Sequence, residues 1–161
     1  MKIKKFILSC FGLGFLPLAP GTWGSLPAVA ILLIVYHFWP DEVVCGTVIV
    51  AAMAASIAFC LLFAGEAAKQ EDKKDPRWIV IDEFAGQCVA ILPVAVTGER
   101  VLTATIASFM LFRIFDILKP SPVRECELLK GGMGILADDI VAGLMAGVTV
   151  QIVSYLFTFF R

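Results

Sequence analysis

Five apolar runs, each close to the ~20 residues that cross the hydrocarbon layer of a bilayer, follow one another along the chain with only short polar connections between them. They cover roughly residues 23–39, 43–64, 78–97, 101–118 and 134–160. Backbone groups facing hydrocarbon must be satisfied inside their own segment, so the runs predict helices. The connections carry turn chemistry: Trp39-Pro40-Asp41, Thr97-Gly98-Glu99, Lys119-Pro120-Ser121-Pro122 and Lys130-Gly131-Gly132. Before and at the start of the first run, Pro17, Pro20 and Pro27 with Gly12, Gly14, Gly21 and Gly24 predict a broken, interfacial or re-entrant stretch. The expectation is an all-α, multi-pass transmembrane bundle: one domain over residues 1–161, with about five long helices and a broken N-terminal interfacial segment.

Composition agrees. Of 161 residues, 17% are charged and 60% are hydrophobic, whereas soluble domains are about 25% charged. A globule of this length cannot hide that much apolar surface, so lipid is expected to cover the remainder. A net charge of −1 offers no basic stripe to neutralise phosphates, which excludes nucleic acid as a partner. Five cysteines, an odd number with no C-x-x-C spacing, read as reduced packing residues. Lys2, Lys4 and Lys5 followed by an apolar stretch resemble a signal peptide, but the prolines interrupt it and no small-residue cleavage site follows, so it is expected to stay in the mature chain.

Positive charge sets the expected topology. Lys2, Lys4 and Lys5, then Lys69, Lys73, Lys74 and Arg77, then Lys119, Arg124 and Lys130 fall on alternate sides of successive runs, while the other two connections hold none and Arg100. The positive-inside rule therefore places the N-terminus and both basic connections in the cytoplasm.

On that map Asp82, Glu83, Asp116, Asp138 and Asp139 all fall at the cytoplasmic face. Ionisable groups in spanning segments are expensive and usually face the bundle interior, so the clustering marks a site. Caps at helix N-termini, favoured by ~0.3–1 kcal/mol each, would look similar in isolation. Adjacent helical residues lie about 100° apart, so one acid of each pair is expected to point squarely inward, joined by Asp116. Like charges so gathered need a cation, and hard oxygens suit Mg²⁺ with a phosphate beside it. Arg113, three residues before Asp116, then Lys119 and Arg124 offer phosphate contacts; taken separately they read equally as an intrahelical pair and lipid-headgroup contacts. Amides of Pro20-Gly21-Thr22-Trp23-Gly24-Ser25 and of Gly131-Gly132-Met133-Gly134 could cradle an anion at helix starts. Gly143 and Gly147, beside Ala142 and Ala146, read as a close helix contact.

Several chemistries drop out. His37, the lone histidine, is expected at the far face, which leaves no base for a Ser-His-Asp mechanism. No cysteine has an arginine at phosphatase-loop spacing. Metal-assisted attack by water with a carboxylate base remains. A cation-coupled transporter and a non-catalytic membrane subunit are the other two classes, and acids confined to one face argue against the former.

Val80-Ile81-Asp82-Glu83-Phe84-Ala85-Gly86, then Phe112-Arg113-Ile114-Phe115-Asp116-Ile117-Leu118-Lys119-Pro120 with Pro122 and Arg124, then Gly131 to Gly143, closely resemble the motifs of the bacterial phosphatidylglycerophosphatase A family. Pro20-Gly21-Thr22-Trp23-Gly24-Ser25-Leu26 resembles its opening motif. The likeness implies an all-helical bundle around a central helix in the bacterial inner membrane, facing the cytoplasm. It implies a Mg²⁺-dependent phosphatase converting the phospholipid phosphatidylglycerophosphate to phosphatidylglycerol, with another lipid phosphate or a prenyl pyrophosphate as the alternative substrate. The roles expected from it are metal ligation by Asp82, Glu83, Asp138 and Asp139, with one of these or Asp116 orienting water. Arg113, Lys119 and Arg124 are expected to hold the phosphate, with Thr22 and Ser25 adding hydrogen bonds.

Overall fold

The computed structural model describes residues 2–72, 76–126, 128–129 and 131–160, and every regular element among them is helical. A short α1 (Lys2–Leu8) and a single 3-10 turn (Leu13–Phe15) lead into α2 (Pro20–Phe38). Pro20 occupies the first turn, where its missing N–H leaves no bond unmade. Pro27 lies inside α2 without ending it, as happens in membrane helices whose neighbours compensate the freed carbonyl. The first long helix therefore starts three residues before the apolar run, on the glycine motif itself.

Asp41 caps α3 (Glu42–Phe59), its carboxylate accepting from the Val44 amide at 2.8 Å. One π turn (Cys60–Ala64) carries the rod on into α4 (Gly65–Gln70), giving a continuous helical stretch Glu42–Gln70. It outlasts the apolar run because Glu66 and Lys69 are good helix formers even where hydrocarbon ends. Then come α5 (Ile81–Thr97), α6 (Val101–Leu118), the single turn α7 (Val123–Cys126) and the long α8 (Gly132–Phe159). The third run was expected to be helical from residue 78, but residues 76–80 are non-helical; the Val80 amide instead donates to the Leu8 carbonyl at 2.9 Å.

Four helical stretches, Pro20–Phe38, Glu42–Gln70, Val101–Leu118 and Gly132–Phe159, are long and apolar enough to cross a membrane. They ring α5, whose Ala85, Cys88, Ala90 and Ile91 are fully buried, while Ile34, Val50, Leu102, Met110, Leu144 and Ile152 point outward from the ring. That pattern inverts the soluble one and fits a lipid-facing exterior. With 17 residues, α5 is only roughly 25 Å long. Gly86 meets the parallel α8 at Asp139, so the two helices begin at nearly the same level, α8 running about 3 Å further. The first turn of α5 lies at this depth inside the ring, with Asp82 only 4% exposed.

Two glycines set this depth. A methyl on Gly86 would fall 2.6 Å from the Asp139 carbonyl oxygen, and one on Gly143 would overlap the Gly86 carbonyl. The expected close contact at Gly143 is therefore backbone against backbone, with Ala90, Ala142, Ala146 and Phe112 packed around it. Gly143→Val is expected to destabilise the protein by about 3 kcal/mol through overpacking, read as a fall in the unfolding midpoint in detergent, whereas Leu144→Ala on the outer face should stay within about 0.5 kcal/mol.

Candidate active site

Asp82 and Glu83 occupy the first turn of α5, and Asp139 the second turn of α8. One carboxylate oxygen from each lies within 4.8 Å of the other two. Asp82 and Asp139 are 4% and 3% exposed, and Glu83 Oε2 and Asp139 Oδ1 are buried without a hydrogen-bond partner. The expectation that only one of Asp82 and Glu83 would point inward fails for a physical reason. That reasoning assumes a helix with one outer face, and α5, ringed on all sides, has none. Asp82 turns toward α8, while the longer Glu83 lies on the side facing α2 and α6 and still reaches the cluster.

Asp138 and Asp139 do divide as adjacent helical residues should. Asp139 enters the cluster, with Asp116 of α6 close beside it. Asp138, itself buried, receives a hydrogen bond from Lys119 Nζ at 2.7 Å. Arg113 and Asp116, one turn apart on α6, pair at 2.9 Å and are each 15% exposed. A methyl on Gly21 would sit 2.5 Å from Glu83 Oε1 and 3.0 Å from both Nη1 and Nη2 of Arg113. The opening glycine motif thus brings the backbone at the start of α2 onto the acid and the guanidinium together. The positive ends of α2 and α5 both face the cluster and partly offset its charge.

Other expected site residues are placed differently. The Ser25 hydroxyl donates to the Gly21 carbonyl at 2.8 Å, satisfying its own helix, and Thr22 is half-buried on the same turn. Arg124 is exposed on α7, and among the described residues no contact ties it to the cluster. Gly132, expected as an anion cradle, packs on the Cys60 and Leu61 carbonyls, a methyl there falling 2.9 and 3.0 Å from them. It serves the junction of α8 with the π turn. His37 is exposed in the last turn of α2, at the opposite end of that helix from Gly21. Cys10, Cys45, Cys60 and Cys88 are buried, as a packing role requires, and Cys126 is half-buried. Lys73, Lys74, Asp75 and Lys130 lie outside the described residues.

Pattern reading passed over two features. Gly21 reads from sequence as part of a broken stretch and of an anion-cradling helix start, whereas its role in the structure is to let the backbone approach Glu83 and Arg113. Gln87, fully buried with neither amide atom hydrogen-bonded, lies one turn beyond Glu83 on the same face; its signal was a lone amide in an otherwise apolar stretch.

Three carboxylates at this spacing repel by on the order of 3 kcal/mol per pair at an effective dielectric of ~20. Hard oxygen donors, two of them buried acceptors without partners, suit a divalent cation of the Mg²⁺ type. The Lys119–Asp138 pair is partly buried, at 29% and 11% side-chain exposure. Removing one partner strands the other: Lys119→Met is expected to cost about 3 kcal/mol, and the double change Lys119→Met with Asp138→Leu less than the sum of the single changes, checked by a double-mutant cycle on unfolding in detergent.

Comparison with known proteins follows the same lines. The family profile described as Phosphatidylglycerophosphatase A matches residues 6–154. A Bacteroides thetaiotaomicron protein provisionally named phosphatidylinositol-3-phosphatase is 37% identical over 142 residues, 88% of this chain and 87% of that protein. The Escherichia coli K12 phosphatidylglycerophosphatase A is 33% identical over 137 residues, covering 84% and 74% of the two chains. The Haemophilus influenzae phosphatidylglycerophosphatase A is 31% identical over 156 residues, covering 90% and 85%. No solved structure matches significantly. With its motifs folded into one buried acidic site inside a ring of membrane-length helices, and with a profile match over nearly its whole length, the chain belongs to the phosphatidylglycerophosphatase A family of membrane lipid phosphatases.

Proposed function

We propose that the protein hydrolyses the phosphate monoester of phosphatidylglycerophosphate, releasing phosphate and phosphatidylglycerol, as a step of phospholipid biosynthesis at the cytoplasmic face of the bacterial inner membrane. The observation carrying this reading is the buried Asp82–Glu83–Asp139 cluster with Arg113 against it. A cation site flanked by a guanidinium is what a phosphate ester needs. The family match supports the substrate. The orientation rests on Lys4, Lys5, Lys69, Arg77, Lys119 and Arg124 lying toward the site end of the bundle and Arg100 toward the other.

Asp82, Glu83 and Asp139 would hold Mg²⁺, which when bound supplies Lewis-acid stabilisation of phosphoryl charge and eases the ionisation of water. Arg113 presents two Nη groups for a bidentate hold on phosphate oxygens, and Lys119 adds a point charge beside it. Asp116, paired with Arg113 and close to Asp139, would take the proton of the attacking water. As the water oxygen bonds to phosphorus, the P–O bond to the glycerol oxygen breaks and that oxygen receives the proton from Asp116, so that phosphate and the free alcohol leave. Burial of the site within the ring excludes bulk water and strengthens each charge contact. Asp138, also expected as a ligand, stands outside the three-acid group and would orient Lys119 through Oδ2.

One relative's name points to a second substrate of the same chemical kind, a phosphate on inositol. Assaying phosphate release from phosphatidylglycerophosphate and phosphatidylinositol 3-phosphate side by side decides it, and the former is expected to be turned over at least about tenfold faster, a difference of ~1.4 kcal/mol in the barrier. Glu83→Gln and Asp139→Asn should each lower turnover by about 100-fold or more, and Arg113→Ala by a similar factor. EDTA should stop release and Mg²⁺ restore it; activity that survives EDTA sinks the metal reading. Independently of turnover, saturating Mg²⁺ should stabilise the unaltered protein by ~2–3 kcal/mol at about 100 times its Kd and leave Asp139→Asn unmoved.

A further inference from the structure

We propose that the N-terminal stretch from Ile3 to Leu18 is a lipid-contact element, seated in the leaflet that bears the substrate and coupled through Val80 to the acids that begin α5. This rests on the lipid-phosphatase reading given above.

The outer side of this stretch is apolar. Ile3, Phe11 and Leu18 are 75%, 73% and 78% exposed, and Phe6, Phe15 and Leu16 are exposed beside them. Its depth is fixed by the chain, because it ends two residues before α2, a helix of membrane-crossing length. An apolar stretch joined directly to the end of a span lies where hydrocarbon meets headgroups, the depth at which aromatic rings and lysines concentrate. Trp23, 42% exposed in the first turn of α2, continues the same surface onto the lipid-facing ring. Lys2, Lys4 and Lys5 supply the basic flank that anionic headgroups attract. Lys4 and Lys5 also tie α1 to the first turn of α4 and to the residue that follows it, pairing with Glu66 at 3.1 Å and Glu71 at 3.2 Å. The backbone that turns these side chains outward is itself strained: Cys10, Phe11 and Ala19 have φ of 46°, 59° and 47°, left-handed values that non-glycine residues keep only when their surroundings impose them.

The inner side grips the approach to the site. The Leu8 carbonyl accepts from the Val80 amide at 2.9 Å, and Cys10 Sγ donates to the Val80 carbonyl at 3.5 Å. Gly14 leaves no room for a methyl against the Trp78 carbonyl. Asp82 follows Val80 by two residues. One face of the stretch therefore meets lipid while the other fixes the backbone that enters the acidic turn, so seating in the leaflet and site geometry are coupled. The occupant is lipid, because the exposed apolar side chains run on through Trp23 into the outer surface of a membrane-length helix, and the charges beside them are basic.

The test uses the full chain in vesicles of phosphatidylethanolamine and phosphatidylglycerol. A fluorophore is attached at Leu18→Cys in a Cys126→Ser background. Cys10, Cys45, Cys60 and Cys88 are buried, and burial together with Glu83 and Asp82 pushes the Cys10 thiol further up, keeping it unreactive. Quenching by nitroxide-labelled lipid with protection from an aqueous quencher is expected. Free access of the aqueous quencher overturns the proposal, as does protection that appears only at high protein-to-lipid ratio, which would mean a second copy covers the face. In parallel, Phe11→Ser with Leu18→Ser should slow turnover of long-chain lipid phosphate in vesicles by at least about tenfold and leave a dispersed short-chain analogue within about twofold, while Phe11→Leu with Leu18→Ile should keep both. Equal loss on both substrates, or loss on neither, overturns the coupling. If the unaltered protein hydrolyses neither substrate, the hydrolase reading fails while the depth measurement still decides lipid contact.

Discussion

The contact of Gly86 with the Asp139 carbonyl, and of Gly143 with the Gly86 carbonyl, sets the distance between α5 and α8. Aspartate is a short side chain, with one methylene between backbone and carboxyl. Two helices packed at the usual 8–10 Å through larger side chains would hold Asp82 and Asp139 too far apart to share one ion. With bare backbone at the crossing, one aspartate from each helix and the neighbouring Glu83 put oxygens within 4.8 Å. In hydrocarbon no hydrophobic gain drives helices together, so small residues and the close van der Waals contact they permit are what stabilises the crossing. The same glycines that hold the bundle together thus gather its acids.

Gathering them costs free energy, and the surrounding elements show how the cost is met. Two helix N-termini, of α2 and α5, point positive ends at the cluster. Arg113 lies against both Gly21 and Asp116, and Lys119 is fixed by Asp138. Each basic side chain is shared between an acid of the wall and the space where a phosphate would lie. A pair that is part-buried and already oriented loses less entropy on gripping a ligand than a free surface lysine would. Like charges that remain close after this compensation are the usual mark of a site that binds a cation.

Much of this was legible in the sequence, and the misses are instructive. The apolar runs located all five long helices because the bilayer leaves no alternative secondary structure, and residues 101–118 match α6 end to end. Helix ends were less legible wherever they were decided by something other than hydrophobicity. Pro20 starts α2 by its fixed φ, Glu66 and Lys69 carry a helix past the hydrocarbon, and Val80, its amide held by the Leu8 carbonyl, caps α5 instead of lying within it. At the site, residue type and end of the bundle could be read, since acids in spanning runs are rare. Which acids meet could not, because that depends on α5 being enclosed. The helical angle between Asp82 and Glu83 separates them only if one direction leads to lipid. Arg124 and Ser25 were drawn in by their positions in motifs, yet one is exposed and the other bonds its own helix.

Irregular backbone gathers at the site end, and physical chemistry gives a reason. Cys10, Phe11, Ala19 and Lys119 hold left-handed φ values there, against Arg100 at the far end, and the non-helical residues 76–80 lie there too. A phosphatase acting on a lipid headgroup must open its site at the boundary between hydrocarbon and water, the one depth at which unpaired backbone groups are tolerated. Helices alone would seal that boundary, because each would end in its own cap. Breaking α5 short at Ile81 and filling the gap with backbone from the chain's start leaves the acids buried but not sealed. Their charge stays within reach of a phosphate anchored in the leaflet, while the apolar ring keeps the remainder of the lipid outside.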